Sequence, residues 1–434
     1  MAEAVTKTEP ERRSGRGSAL LILVALFAGL LLGILAGKTG GGWREPLVQA
    51  AALIGGLWLD ALKMTVIPLI VALLITGIVG SADAARAGGL ASRAVAWFMG
   101  FYVFSAAFGG FGMQGLTSLF PLPGEAADAL RAGLASVEQP VSREAVPTVA
   151  DFFKSIIPAN PIGAAANDQI LPLVVFTVIF AFALSRLTPD RRGSALSFFE
   201  AVGEAMLVVI GWVLWLAPVG VFALAFALGA GAGGSALGAV AHYVVLISLL
   251  GIGITLVGFA IALTVARWRG GEFLRAMVGP TAVAVSTRSS LASLPAMLRA
   301  ALRLGVDERK ADVLLPMAVA LFRATGPAMN IGVAVYVAHW LGVTITPLGF
   351  AAGVAVAAMA SIGAVSLPGQ VSFVTSIAPI SLAMGVPIEP LALLIAVETI
   401  PDTFRTWGNV VLDVAVTGAV ARQEGDELTD VQPG

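Results

Sequence analysis

The chain has 434 residues, of which 58% are hydrophobic and only 12% charged, about half the charged share of a soluble globular protein. A water-soluble domain cannot hide so much apolar surface, so the composition points to a polytopic integral membrane protein. The formal net charge of −1 gives no electrostatic case for nucleic acid. Without cysteine there is no disulfide, thiolate zinc site or cysteine nucleophile, and two histidines, His242 and His339, leave little for metal or acid–base chemistry.

Charge-free runs mark the expected spans in chain order. They are Ser18–Ala36, Met64–Ala82, Ala94–Gly124, Gln169–Ser185, Ala205–Ala266 and Ala324–Ile388. The fifth holds 62 residues, or roughly 90 Å of helix against a hydrocarbon core of ~30 Å. The glycine patch Gly229–Gly234 is expected to divide it into two helices. The sixth is broken too often by proline and glycine to form two straight helices. The polar segment Met1–Arg16 reads as a cytoplasmic tail before an uncleaved first helix. With that end inside, 17 of the 26 basic residues fall in inner segments and 5 in outer ones, so both termini are expected in the cytoplasm. The other four, Lys63, Arg288, Arg323 and Arg405, fall at or within membrane segments.

Two stretches resist reading as ordinary spans. One is Glu272–Gly305, whose apolar arms Ala276–Thr287 and Leu291–Leu298 are each too short to cross. Between them lies Ser286-Thr287-Arg288-Ser289-Ser290. The other runs from about Thr346 to Gly385 and centres on Ser361-Ile362-Gly363-Ala364-Val365-Ser366-Leu367-Pro368-Gly369. Ser293-Leu294-Pro295 in the first echoes Ser366-Leu367-Pro368 in the second. A hairpin tip inside the membrane is tolerable only where it lines a polar cavity. Paired hairpins in two halves of a repeat point to a transporter's substrate site. The alternative is that the Ser–Pro breaks are simple kinks.

The last apolar segment, Leu391–Arg422, carries Glu398, Asp402, Arg405, Thr406, Asn409 and Asp413, spaced to fall on one helical face. Three carboxylates and an arginine would each cost a few kcal/mol facing lipid, so they face a cavity or partners. One reading is a self-satisfied Asp402–Arg405 pair. The other is a receptor for a zwitterion with an extra carboxylate: guanidinium for the carboxylate, aspartate for the ammonium.

These residues resemble the dicarboxylate/amino acid:cation symporter family, the glutamate transporter homologues, from about Ser18 to Arg422. The resemblance is carried by Thr287-Arg288-Ser289-Ser290 with Leu294-Pro295, by Ser361-Ile362-Gly363 with Pro368-Gly369, and by Asp402-x-x-Arg405-Thr406-x-x-Asn409-x-x-x-Asp413. It implies an all-α membrane protein with inverted repeats, eight transmembrane segments and two re-entrant hairpins (about 272–305 and 346–385), assembled as a homotrimer in a bacterial inner membrane. Residues 1–17 would be the N-terminal tail. Residues 18–88 and 147–228 would form a scaffold, 89–121 and 236–422 an elevator-like transport domain, and 423–434 an acidic tail. In the family, the position of Arg405 binds the substrate side-chain carboxylate and that of Asp402 the amino group. Thr406, Asn409 and Ser290 complete the site, with Arg288, Ser289, Leu367 and Thr325 around it. Retention of both Asp402 and Arg405 favours acidic amino acids over C4-dicarboxylates. An anion channel is the alternative from another class. A hydrolase lacks a histidine near Ser289 and Ser290, no nucleotide-binding loop is evident, and no cofactor is expected.

The sequence departs from the family at its seventh-helix Asn-Met-Asp-Gly-Thr motif, which here reads Phe322-Arg323-Ala324-Thr325-Gly326. A carboxylate is lost at Ala324 and a guanidinium gained at Arg323, a change of about two charges. Glu398 stands where aspartate is usual, and Asp413 keeps the position of a sodium ligand. Arg323 is therefore expected near Asp402, Glu398, Asp413 or the substrate, as a built-in cation that makes sodium dispensable. The alternative is that Arg323 pairs structurally while residual sites, with Asp413, still take sodium. The coupling ion is left open between a proton (through Glu398), sodium and none.

Overall fold

The structure is a computed structural model that describes residues 9–39, 43–86, 88–122, 124, 157–167, 169–232, 235–362 and 369–422. Every regular element among them is a helix. In chain order these are α1 (Glu9–Lys38), α2 (Arg44–Arg86), α3 (Gly89–Leu119), α4 (Pro161–Ala166), α5 (Ile170–Leu184), α6 (Pro189–Trp215), α7 (Ala217–Ala232) and α8 (Ser235–Thr264). They continue as α9 (Gly270–Thr287), α10 (Ser290–Arg303), α11 (Glu308–Leu321), α12 (Gly326–Leu341), α13 (Pro347–Ile362), α14 (Gly369–Ala383), α15 (Leu391–Leu394) and α16 (Thr399–Arg422). Six segments among the described residues are long and apolar enough to cross a membrane: Leu20–Lys38, Arg44–Asp83, Gly89–Leu119, Pro189–Trp215, Leu237–Thr264 and Glu308–Leu341.

Local chemistry sets several of the ends. Asn160 caps α4, its Oδ1 accepting from the backbone N–H of Ile162 and Gly163, with Pro161 at the first helical position. Asp307 caps α11 in the same way through Arg309 and Lys310. Gly342 ends α12 at φ 69°, the left-handed conformation that glycine adopts without strain. Along α1, Gly29, Gly33 and Gly37 recur every four residues and face α7. A Cβ on Gly29 would meet Phe222 O at 2.5 Å and one on Gly37 would meet Ala230 O at 2.8 Å. Small residues thus let the two backbones touch, as close membrane helices do.

Three expected boundaries move. The first helix begins at Glu9, inside the stretch read as a tail. The run Ala205–Ala266 contains parts of three helices, not two, because a second break falls at Leu216. Pro218 explains it: its ring lacks an N–H and crowds the carbonyl four residues back, so α6 stops and α7 starts afresh. The polar stripe is also not one helix. Residues 395–398 are turns between α15 and α16, with three-residue bonds such as Val397 N–H to Leu394 O at 3.1 Å. Glu398 therefore precedes α16, and Pro401 sits in its first turn, where a missing N–H costs little.

In the stretch of the first expected hairpin, α9 and α10 pack against each other with Arg288-Ser289 between them. In the second, α13 packs on α14, while residues 363–368, and Leu367 with them, lie outside the described residues. Two large apolar clusters organise the chain. One gathers Leu26, Trp58, Leu62, Val221, Tyr243 and Tyr336 with the segment 391–397. The other joins Phe98, Phe273, Met297, Leu315 and Phe322 to Val410, Val411 and Leu412 of α16. The polar residues Asn330 and Arg405 lie on α12 and α16.

Candidate substrate site

The site begins with a break between two helices. Between α11 and α12 the chain leaves helical geometry over Phe322-Arg323-Ala324-Thr325. Phe322 anchors this break by stacking on Phe98, with ring centroids 4.5 Å apart, and meeting Phe101 edge-on. α3 supplies polar ties on either side. The Tyr102 hydroxyl donates to Leu321 O and accepts from the Arg323 N–H at 3.1 Å. Ser105 Oγ donates to Ala324 O at 2.6 Å and accepts from Ala328 N–H at 3.2 Å. Backbone groups freed by the break are thus satisfied, as a buried break requires.

Thr325 ties the break to α16. Its N–H donates to Asn409 Oδ1 at 2.9 Å, and its hydroxyl lies 2.8 Å from the same oxygen and 2.9 Å from Arg405 O. Thr406 and Asn409 are buried on α16. Arg405 is held from several sides. Nη2 donates to Glu398 Oε1 at 2.7 Å, Nη1 donates to Asn330 Oδ1 at 2.6 Å, and Nε faces Asp402 Oδ1 at 3.8 Å. The second Glu398 oxygen accepts from the Tyr243 hydroxyl at 3.3 Å. The expected Asp402–Arg405 pair is thus the looser contact, and Glu398 is the close partner.

This arrangement has a countable consequence. A guanidinium has five N–H groups. The bonds to Asn330 and Glu398 engage two, so among the described residues one N–H is left on each η nitrogen, the number a bidentate carboxylate takes, while Nε–H only faces Asp402. At 3.8 Å, Asp402 is too far from Arg405 for a hydrogen bond, so its oxygens keep capacity for another donor. Asp402 also feels the charges of Arg288 and Arg323. Arg288 is the tip residue of the α9–α10 pair, at φ 51°. Ser289 caps α10 through Ala292 N–H at 3.2 Å, and Ser290 opens that helix half-buried.

A second charged group lies deeper. Asp413 is 1% exposed, and neither carboxylate oxygen has a hydrogen-bond partner among the described residues. Arg323 is within its electrostatic reach, and within that of Asp402.

Four residues at the site were not singled out from the sequence: Tyr102, Ser105, Tyr243 and Asn330. A signal existed. The chain has only three tyrosines, Tyr102, Tyr243 and Tyr336; the first two bond to site residues and the third packs on Tyr243. Asn330 is the lone amide in the apolar helix α12.

The model of the sodium:dicarboxylate symporter family matches residues 19–423. The chain belongs to that family. It is a family of transporters, not enzymes, that sit in membranes. A proton/sodium-glutamate symport protein of Bacillus subtilis is 29% identical, over 92% of this chain and 92% of its own. A neutral amino acid transporter B(0) of Oryctolagus cuniculus is 29% identical over 95% of this chain and 83% of its own. A C4-dicarboxylate transport protein of Rhodospirillum rubrum is 26% identical over 93% of this chain and 88% of its own. Symporters of the family thus differ in substrate at similar distances from this chain, and the choice among substrates falls to the residues of the site.

Proposed function

We propose that this family member is a secondary transporter of acidic amino acids, L-aspartate or L-glutamate, and that Arg323 serves as its built-in cation. The observation that carries the reading is the Arg405 cluster. A guanidinium with one uncommitted N–H on each η nitrogen suits a side-chain carboxylate, and a neighbouring Asp402 with oxygens to spare suits an ammonium. An amine-free dicarboxylate would use the first group and face repulsion from the second. A neutral amino acid would leave the guanidinium without its anion.

The cation reading rests on the second group. A buried carboxylate needs a counter-charge, and Asp413 feels the charge of Arg323. With Ala324 offering no side-chain oxygen, the guanidinium takes the role that a sodium ion would fill. Substrate then binds without obligatory sodium, and transport is coupled to protons or uncoupled. In this reading residues 18–88 and 147–228 form the scaffold of a homotrimer in the inner membrane. Residues 89–121 and 236–422 move as the elevator, and both termini face the cytoplasm.

Calorimetric titration of purified protein with L-aspartate, in sodium buffer and in choline buffer, tests both parts. Equal affinity in the two buffers is expected, with succinate a weak competitor. Binding that appears only with sodium would sink the cation reading, and succinate binding as tightly as aspartate would replace the substrate class.

A further inference from the structure

Glu398 is 2% exposed and uses both carboxylate oxygens: Oε1 accepts from Arg405 and Oε2 from the Tyr243 hydroxyl. Tyr243, on α8, is fully buried. Its ring meets Tyr336 of α12 edge-on, with centroids 5.3 Å apart and planes at 64°. Tyr336 is itself fastened. Its hydroxyl donates to Ala239 O at 3.2 Å and lies 3.0 Å from His242 Nδ1, while His242 Nε2 lies 2.9 Å from Phe120 O at the end of α3. A brace of two tyrosines and a histidine therefore runs from the end of α3 to the carboxylate that holds the substrate-facing arginine.

We propose that Tyr243 is a positioning residue of the substrate site: its hydroxyl fixes Glu398, and Glu398 fixes the Arg405 guanidinium that receives the substrate carboxylate. The inference rests on the reading of Arg405 as that receptor. The physical reason is that a glutamate in turn geometry just before α16 has freedom in its side-chain torsions. A carboxylate bonded at one oxygen alone swings about that bond, and the guanidinium swings with it. A donor on the second oxygen removes the freedom, and the Tyr336 brace keeps the donor's ring in place. Preorganised fork geometry is what makes a guanidinium selective for a carboxylate.

The test is a double-mutant cycle on the full-length protein, read by L-aspartate calorimetry. Tyr243→Phe keeps the ring and removes the hydroxyl, and is expected to weaken aspartate binding about tenfold. Glu398→Met keeps the side-chain length and removes the carboxylate that Tyr243 acts through. In that background the same change is expected to shift affinity by less than about twofold. A purely structural role for the tyrosine would give the same loss in both backgrounds, and that result would overturn the proposal. So would wild-type affinity in the single variant. Should Tyr243→Phe fail to fold, Tyr336→Phe loosens the brace one step away. It is expected to cost about threefold, again only when Glu398 is present; equal effects in both backgrounds would again overturn the proposal. A wild-type protein that binds no acidic ligand would remove the Arg405 reading and this inference together. Tight wild-type binding with an unaltered Tyr243→Phe variant would remove the inference alone.

Discussion

The Arg405 group and the Asp413 group are anchored on the same helix, α16, and are opposite in design. Around Arg405 every close partner is a short, directed bond: 2.7 Å to Glu398, 2.6 Å to Asn330, with Tyr243 closing the far oxygen. Around Asp413 no hydrogen bond is made by either oxygen among the described residues, and the neighbouring charge acts through space. The first arrangement fixes the orientation of one planar group, which is what recognition of a second planar group demands. On the proposed reading, the second balances charge without fixing direction, which is what replacing a spherical ion demands. The comparison teaches that a buried charge can be held either for its shape or for its sign.

The sharpest way to break the comparison is to remove Arg405. Arg405→Met leaves Glu398 buried without its cation, which costs about 3–5 kcal/mol of stability, and removes the carboxylate receptor. Loss of measurable aspartate binding together with a lower Tm is expected, by calorimetry and thermal melting. A variant that still binds aspartate within threefold of wild type would show that recognition lies elsewhere.

The Asp413 group predicts a different kind of outcome, because a sign can be replaced where a shape cannot. Arg323→Met should destabilise the protein in choline, where Asp413 loses its counter-charge, and sodium should restore part of the loss. A cation present at one hundred times its dissociation constant contributes about 2.7 kcal/mol by linkage. Wild type is expected to melt alike in the two buffers. The variant alone should gain stability and aspartate affinity from sodium. If sodium moves neither property in the variant, Arg323 does not stand in for a cation.

The two groups were unequally legible in the sequence. Charge-free runs, the helical spacing of Asp402, Arg405, Asn409 and Asp413, and the arginine at position 323 could be read directly, because cost in lipid makes each such residue conspicuous. The α9–α10 pair could be read from arms too short to cross. What stayed hidden was what depends on contact across distant elements. Glu398 bonds Arg405 from a turn before the helix, since Pro401 favours a fresh helical start there. Leu216 ends a helix inside a run that carries no charge, where only Pro218 marks the place. Asn330 and Tyr243 lie 75 and 162 residues from Arg405, and no periodicity links them to it.

Asn330 offers a finer cut into the recognition group. Asn330→Ala removes a neutral acceptor from a charged donor, a bond worth about 1.5–3 kcal/mol. The remaining Glu398 contact still holds one η nitrogen, so aspartate affinity is expected to fall about tenfold instead of vanishing. Asn330→Asp should fall further, since an added carboxylate competes with the substrate for the guanidinium. Affinities ranked wild type, Ala, Asp by calorimetry would support the orienting role. An Asp variant as tight as wild type would contradict it.

The smallest effect is expected at an ion pair outside both groups, which separates distance from burial as the source of these energies. Lys63 Nζ lies 2.5 Å from Glu389 Oε1, a shorter contact than Arg405 makes with Glu398. Its side chains, however, are 35% and 19% exposed, against 15% and 2% in the Arg405 pair. The pair lines a cavity of about 360 Å³ between α2 and the loop before α15, together with Val66, Ile67, Val386 and Pro387. Solvent or headgroups that reach the pair screen it, so its short distance is worth little. Lys63→Met is expected to change stability by about 1 kcal/mol or less and to leave aspartate affinity unaltered, by melting and calorimetry. A loss as large as that of Arg405→Met would mean that the pair is sealed from solvent in the membrane. Proximity and burial would then no longer be separable as the reasons that the recognition group is costly to break.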